Sequence, residues 1–219
     1  MDYSNEELAL REELASIAIQ SYQRGLVAGA GGNVSVRVPG RDEVLITPTG
    51  VSLGMTTVDN IVKTDLYAKH IDTGNGHRPS KETGFHCGIY RLRPEVNAIA
   101  HVHPPYATAF SLKFADLPLV TVSATANLKR VPCVDVALSG SDELRELVEQ
   151  GFARDPGCRC ILMRAHGIVA TGPTLVAAYN AADLIEDTAR IAHYAATLGI
   201  SVEESVQVAF SPIPQSMRV

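Results

Sequence analysis

His101-Val102-His103 ends an apolar run, Val96, Ala98, Ile99 and Ala100, and is followed by Pro104-Pro105. Side chains alternate along a strand, so residues two apart point the same way. Two imidazoles therefore project together from a strand end, where the Pro-Pro pair opens a loop. A third histidine, in Arg164-Ala165-His166-Gly167, ends a second apolar run, Cys160 to Met163. Three imidazole nitrogens on one face are the set a catalytic metal uses while keeping one position open. The plainer reading makes His101 and His103 ordinary polar residues at a strand terminus, with His166 merely preceding a turn glycine. An HxH pair by itself does not decide between the two.

Pro79-Ser80-Lys81-Glu82 puts a carboxylate in the first turn of a helix, a place that the helix dipole alone would favour for Glu. Only one short helix separates Glu82 from the HxH strand, so the carboxylate can fold back onto the histidines. Beside a metal it would serve as a fourth ligand or as a proton-transferring base. Gly29-Ala30-Gly31-Gly32-Asn33 and Thr47-Pro48-Thr49-Gly50 are small-residue turns next to strands. Both expose backbone N–H groups beside Asn and Thr side chains, as a phosphate cradle requires, although such turns taken singly are mostly just turns. Ser80 and Lys81 at a helix N-terminus add a third anion-favouring element. His86, four residues after Glu82, is read as a packing or hydrogen-bonding residue, and His70, His77 and His193 as structural or surface residues.

The elements that must position these groups follow from periodicity and capping. Ser4-Asn5-Glu6-Glu7 is a capping-box pattern opening an amphipathic helix with Leu8, Leu14, Ile17, Ala18 and Tyr22, ended by Gly25. Residues 33–38 and 44–47 flank Pro39-Gly40-Arg41-Asp42 and read as two antiparallel strands. Ser80 caps an expected helix from Lys81 to about Arg93, stopped by Pro94. Further strands are expected at 97–103, 119–123, 133–138, 160–164 and 168–171. Ser141-Asp142-Glu143 opens another helix, and 175–198 forms the longest, with Gly199 as its C-cap. Strands mixed with helices, without strict alternation, repeat or linker, imply one α/β domain over 1–219. Its helices lie on both faces of a largely antiparallel central sheet, a three-layer α/β/α arrangement. The core spans about 8–198, and the weakly patterned residues 200–219 form a C-terminal tail.

Composition narrows the function classes. The 219 residues are 46% hydrophobic, enough for a sizeable core, and carry a formal net charge of -5 with no basic and aromatic cluster. A nucleic-acid surface is therefore not expected. No apolar run approaches a membrane span and no leader is evident, so a cytoplasmic protein without membrane contact is expected. Cys87, Cys133, Cys158 and Cys160 lack metal-binding or CxxC spacing and read as reduced, buried thiols. Any small anionic ligand must be held by local amides and single cations, against the overall charge.

Taken in order, Gly-Gly-Asn33-Val-Ser, Thr-Pro-Thr49-Gly50, Pro-Ser80-Lys-Glu82, His101-Val-His103 and Ala-His166-Gly167 resemble the class II aldolase/adducin-head family, whose members include fuculose-phosphate aldolase and ribulose-phosphate epimerase. The resemblance runs from about Leu8 to Leu198. It implies that His101, His103 and His166 bind a divalent metal, usually zinc, with manganese as the other candidate, and that Glu82 is fourth ligand or acid/base. Gly32, Asn33, Thr49, Gly50, Ser80 and Lys81 would hold a substrate phosphate. A homotetramer with sites at subunit boundaries is implied as well. The chemistry implied is that of a metal-dependent carbon–carbon lyase in carbohydrate metabolism. It would be an aldolase cleaving a small phosphorylated ketose, or a related hydroxy-carbonyl compound, through a metal-stabilised enediolate. Two positions depart from the sugar-phosphate aldolases: Lys81 stands where they commonly have a second serine, and Val122 aligns with their tyrosine acid. The Pro-Ser-Lys-Glu form resembles members that decarboxylate oxo-acid phosphates, which makes decarboxylation the alternative on the same site. A non-catalytic adducin-head-like module is the third expectation, though such modules lack the ligand set that this chain keeps.

Overall fold

In the computed structural model, residues 3–71 and 76–210 are described. Ser4 caps α1 (Asn5–Gln23), its Oγ accepting from the Glu7 N–H at 3.3 Å. The reciprocal half of the capping box does not form. Glu7 instead turns inward to Arg11 (2.9 Å) and to Lys63 (2.6 Å) of a distant strand. The expected hairpin is present as β1 (Asn33–Arg37) and β2 (Glu43–Ile46), antiparallel with Val36 opposite Leu45. Next come β3 (Val62–Asp65), which periodicity did not reveal, α2 (Thr83–Leu92), β4 (Ala98–Val102) and the short α3 (Pro105–Ser111). Pro105 suits the start of α3 because its fixed φ is helical and its missing N–H would have no helical partner.

Helix α2 begins at Thr83 rather than Lys81, because the Ser80 carbonyl accepts from both the Thr83 N–H and its hydroxyl, closing a tight turn over Lys81 and Glu82. The strand expected at 119–123 is absent. Thr121 caps a helix there, α4 (Val122–Leu128), its hydroxyl oxygen accepting from the Ala124 N–H at 3.1 Å. A good N-cap followed by alanines outweighs the β-branched residues before it. The strand expected at 133–138 shrinks to β5 (Cys133–Val134). As read from sequence, α5 (Asp142–Arg154) is capped by Ser141 and followed by β6 (Cys160–Met163), β7 (Gly167–Gly172) and α6 (Leu175–Thr197). Within the expected tail lies α7 (Val202–Phe210); residues 211–219 fall outside the described part. No described helix is long and apolar enough to cross a membrane.

The seven strands form one sheet in the order β3-β2-β1-β4-β7-β6-β5, antiparallel throughout except for the β5/β6 pair. Strand parity splits the core in two. Val34, Val36, Ala98, Ala100, Ile168 and Ala170 pack against α1, α3, α4 and α6, whereas Ile99, Ile161 and Val169 pack against α2 and α5. This is the expected three-layer α/β/α arrangement. His101 shares the parity of Ile99 and so faces α2, its ring edge-on to Phe85 at 5.5 Å between centroids. In an antiparallel sheet the start of one strand lies beside the end of the next. The starts of β1 and β7 and the ends of β2 and β4 therefore share one rim, which collects residues far apart in sequence.

Candidate metal and substrate site

At that rim, Asn33 stands opposite His101 across the β1/β4 ladder, and His101 stands opposite Val169 on β7. His103 lies one step beyond β4. His166 sits in the tight connection from β6 to β7, where Ala165 takes a left-handed conformation with φ of 55° and the His166 N–H closes onto the Met163 carbonyl at 3.0 Å. The three imidazoles meet with ring centroids 4.7 to 5.0 Å apart, and one nitrogen from each lies within 4.8 Å of the others. Two glycines make room for the central ring. A Cβ at Gly31 would come within 2.8 Å of His103 Nδ1, and one at Gly167 within 2.7 Å of His103 Cδ2.

Glu82, brought over by the turn before α2, completes the cluster. Its Oε2 is 3.1 Å from His101 Nε2 and its Oε1 3.4 Å from His166 Nε2. Oε2 also accepts from Asn33 Nδ2 at 2.9 Å, and Oε1 from the Ser139 hydroxyl at 2.8 Å. Burial by itself would raise the carboxyl's pKa, but the neighbouring His101 and the hydrogen bonds from Asn33 and Ser139 hold it well below the usual carboxylate range. Burial, then the neighbouring His101 and His166, pushes His103 down to about 3. Burial and His101 lower His166 as well, against the opposing pull of Glu82. Both rings are thus held as neutral bases, the form in which imidazole ligates a metal.

The donor set fits a cation. His101 Nδ1 lies 2.8 Å from the Ile168 carbonyl, so its proton is committed there and Nε2 faces inward. That Nε2 meets His103 Nε2 at 2.9 Å and the Glu82 carboxylate at 3.1 Å. With that proton committed, the His101 Nε2 lone pair and the anionic Glu82 oxygen would repel at 3.1 Å, a repulsion that a cation beside both would relieve. A backbone carbonyl fixing the tautomer of a ligating histidine is the usual support for a metal centre. His101 and Glu82 are buried (0% and 5% exposed side chains), whereas His166 keeps 16%.

A cavity of about 260 Å³ opens beside this cluster. All six residues expected to hold an anion line it, namely Gly32, Asn33, Thr49, Gly50, Ser80 and Lys81, together with Glu82 and His103. The 47–50 turn is tied to the segment before α2 by a Thr49 N–H to Arg78 carbonyl bond of 3.0 Å. Asn33 donates one side-chain hydrogen to Glu82 and the other to Ser80 Oγ at 2.9 Å. Ser80 Oγ also lies 3.3 Å from the Glu82 N–H. Having accepted twice, this hydroxyl has its own proton left to donate into the cavity. A larger cavity of about 600 Å³ opens between Arg24, Asn127 and Asp183 and contains none of these residues. Convergent chemistry, not volume, identifies the site.

One neighbour of the site escaped the sequence reading. Ser139 lies in a loop between β5 and α5, and nothing local in Leu138-Ser139-Gly140 points to Glu82, 57 residues away. His86, expected to pack or hydrogen-bond, does both: it is fully buried and bonds to Asn33 and Ser35. Val122, aligned with the family's tyrosine acid, is 71% exposed at the first turn of α4.

The profile of the Class II Aldolase and Adducin N-terminal domain matches residues 12–193. The chain is 36% identical over 185 residues to the L-fuculose phosphate aldolase of Methanococcus vannielii, covering 83% of this chain and 94% of that protein. It is 31% identical over 190 residues to the 3-oxo-tetronate 4-phosphate decarboxylase of Haemophilus influenzae, covering 84% and 87%. Among solved structures, L-fuculose-1-phosphate aldolase from Thermus thermophilus superimposes with a TM-score of 0.76 at 27% identity, over 87% of this chain and 95% of that one. YgbL from Klebsiella pneumoniae, described only by the alternatives aldolase, epimerase and decarboxylase, gives 0.80 at 31% identity over 91% and 97%.

Proposed function

Since the chain belongs to the class II aldolase and adducin N-terminal domain family, we propose that it is a divalent-metal-dependent carbon–carbon lyase acting on a small phosphorylated ketose or a related hydroxy-carbonyl compound. The observation that carries this reading is the convergence of His101, His103, His166 and Glu82 beside a cavity lined by the residues expected to hold an anion. The three histidines would hold the ion, zinc or manganese, with Glu82 as a fourth ligand. When bound, the ion supplies Lewis-acid stabilisation for the negative charge that develops on a substrate carbonyl oxygen as the bond beside it breaks.

The chain's own residues do the rest. The Ser80 hydroxyl, with its lone pairs taken by Asn33 and the Glu82 amide, donates its proton to a substrate phosphate. The turns offer the Gly32 and Gly50 N–H groups and the Thr49 hydroxyl to the same anion, and Lys81 is exposed beside them. Asn33, with both side-chain hydrogens engaged, serves the cradle by orienting Ser80. Glu82, ionised at rest, moves the proton to or from the carbon left electron-rich by bond cleavage. The ligand and proton-transfer roles of Glu82 would alternate as substrate binds.

Lys81 favours the second reading. Lys81 lines the cavity with Ser80 and Glu82, and its ammonium would suit a substrate carboxylate; the same charge stabilisation then serves loss of carbon dioxide instead of an aldehyde. The homotetramer belongs to the leading reading: Leu112, Val122, Val136 and Leu138 expose 62 to 82% of their surface, apolar area that a subunit boundary would cover. The deciding experiment offers ketose phosphates and 3-oxo-acid phosphates to protein loaded with zinc or manganese and measures aldehyde and carbon dioxide separately. Aldehyde release supports the aldolase; carbon dioxide without aldehyde transfers the assignment to the decarboxylase. Neither product, in protein that retains no metal, rejects both.

A further inference from the structure

Behind the site, a single file of buried polar groups runs from α2 to Glu82. Tyr90 Oη is 2.8 Å from Ser35 Oγ, and Ser35 Oγ is 2.7 Å from His86 Nδ1. His86 Nε2 is 2.5 Å from Asn33 Oδ1, and Asn33 Nδ2 is 2.9 Å from Glu82 Oε2. His86 and Ser35 are fully buried, Tyr90 is 1% exposed and Asn33 3%. The carboxylate end fixes the direction of every bond. Ionised Glu82 only accepts, so the Asn33 amide must turn its NH2 toward Glu82 and Ser80 and its carbonyl toward His86. His86 must then donate from Nε2, which leaves Nδ1 to accept from the Ser35 hydroxyl. Ser35 in turn accepts from Tyr90, whose phenol burial keeps protonated.

We propose that His86 is a positioning residue for the reaction: as the Nε2–H tautomer it locks the Asn33 amide in the one orientation that lets Asn33 hold Glu82 and Ser80 at once. With the amide reversed, a carbonyl oxygen would face the Glu82 carboxylate at 2.9 Å, and Ser80 would lose a donor. Its hydroxyl proton would then turn back toward Asn33 instead of pointing into the cavity. The surroundings oppose an imidazolium at His86. Burial depresses its pKa to about 3, and its ring stacks on Phe85 with centroids 4.8 Å apart. The alternative is that His86 merely fills space between α2 and β1.

The turnover part of the test rests on the lyase reading, whereas the tautomer part needs no substrate. In zinc-loaded protein with 15N-labelled histidine, His86 is expected to show a protonated Nε2 and a bare Nδ1; the opposite tautomer or an imidazolium overturns the proposal. His86→Leu should keep its zinc and lose kcat/KM by roughly 10- to 100-fold, with kcat lowered through Glu82 and KM raised through Ser80. His86→Gln, whose amide N–H can reach the same carbonyl, should recover most of that loss. Full turnover in folded His86→Leu, or equal loss in zinc-loaded His86→Gln, overturns it. Should His86→Leu fail to fold, Ser35→Ala takes its place. Loss of the hydroxyl donor should mix the His86 tautomers and lower kcat, and a variant unchanged in both overturns the proposal. If the wild type cleaves no offered substrate, the lyase reading fails and the tautomer measurement alone decides this one.

Discussion

Asn33 and His101 face each other across the β1/β4 ladder, and both reach the same carboxylate oxygen, Glu82 Oε2, at 2.9 and 3.1 Å. The register of two strands therefore sets the site. A slip of one residue would send His101 to the α1/α6 face, because side chains alternate, and no local adjustment could return it. The pairing also joins the two halves of the chemistry, since Asn33 belongs to the anion cavity and His101 to the metal cluster.

His103 and Glu82 should separate metal binding from proton transfer. His103→Ala removes one ligand from a half-buried position, so the variant is expected to stay folded while bound metal drops from about one ion per chain to none that survives dialysis. Glu82→Gln keeps the shape of the side chain and all three histidines. It should retain metal and lose turnover by roughly 100- to 10,000-fold, as loss of a general base does. Elemental analysis and initial rates on the same preparations check both. Unchanged turnover in Glu82→Gln would remove Glu82 from the mechanism.

Ser80 should report on the anion. Its proton is the one directed into the cavity, and a hydrogen bond to a charged group contributes about 1.5–3 kcal/mol. Ser80→Ala is therefore expected to raise KM for a phosphorylated substrate by roughly ten-fold or more, with kcat less affected. An unchanged KM would place the phosphate elsewhere.

Gly31 tests how tightly the central imidazole is held. An alanine Cβ there would stand 2.8 Å from His103 Nδ1 and 3.1 Å from its Cε1, so the ring must shift. Gly31→Ala should weaken zinc binding about ten-fold and move the melting temperature little. Wild-type zinc affinity measured in a chelator competition would show that the ring has slack.

Glu7 sets a pH dependence remote from the site. It is 8% exposed and accepts from fully buried Arg11 and from Lys63. Burial works to raise its pKa, but the Lys63 and Arg11 bonds win and lower it. A carboxyl whose folded pKa is depressed contributes stability that is complete above its unfolded pKa of about 4.3 and is lost as pH falls through the folded value. Glu7→Gln should cost about 3 kcal/mol at neutral pH, at the lower end for a broken buried pair, because Arg11 keeps the Val58 and Ile61 carbonyls. The gap between variant and wild type should narrow on acidification below about pH 4. Denaturant unfolding at pH 7 and pH 3 measures it, and a constant gap would contradict the assignment.

The ligand types, their order and the caps were legible in the sequence because each depends on near neighbours. The HxH alternation, Ser4, Ser141 and Gly199 are of this kind, and so is the long period of α6. Fold class followed from the same local signals, since strands and helices that do not alternate strictly demand a largely antiparallel sheet with helices on both faces. What only the tertiary structure decided is long-range. Thr121 turned an expected strand into α4, because a cap bond outweighed β propensity, and β3 showed itself only through its pairing with β2. Ser139 and His86 gained their meaning from contacts across 57 and 53 residues, for which sequence carries no period. The antiparallel rim brings Asn33, His101 and His166 together. The orientation of the Asn33 amide, and with it the direction of the Ser80 proton, is set by hydrogen bonds that exist only once those strands have paired.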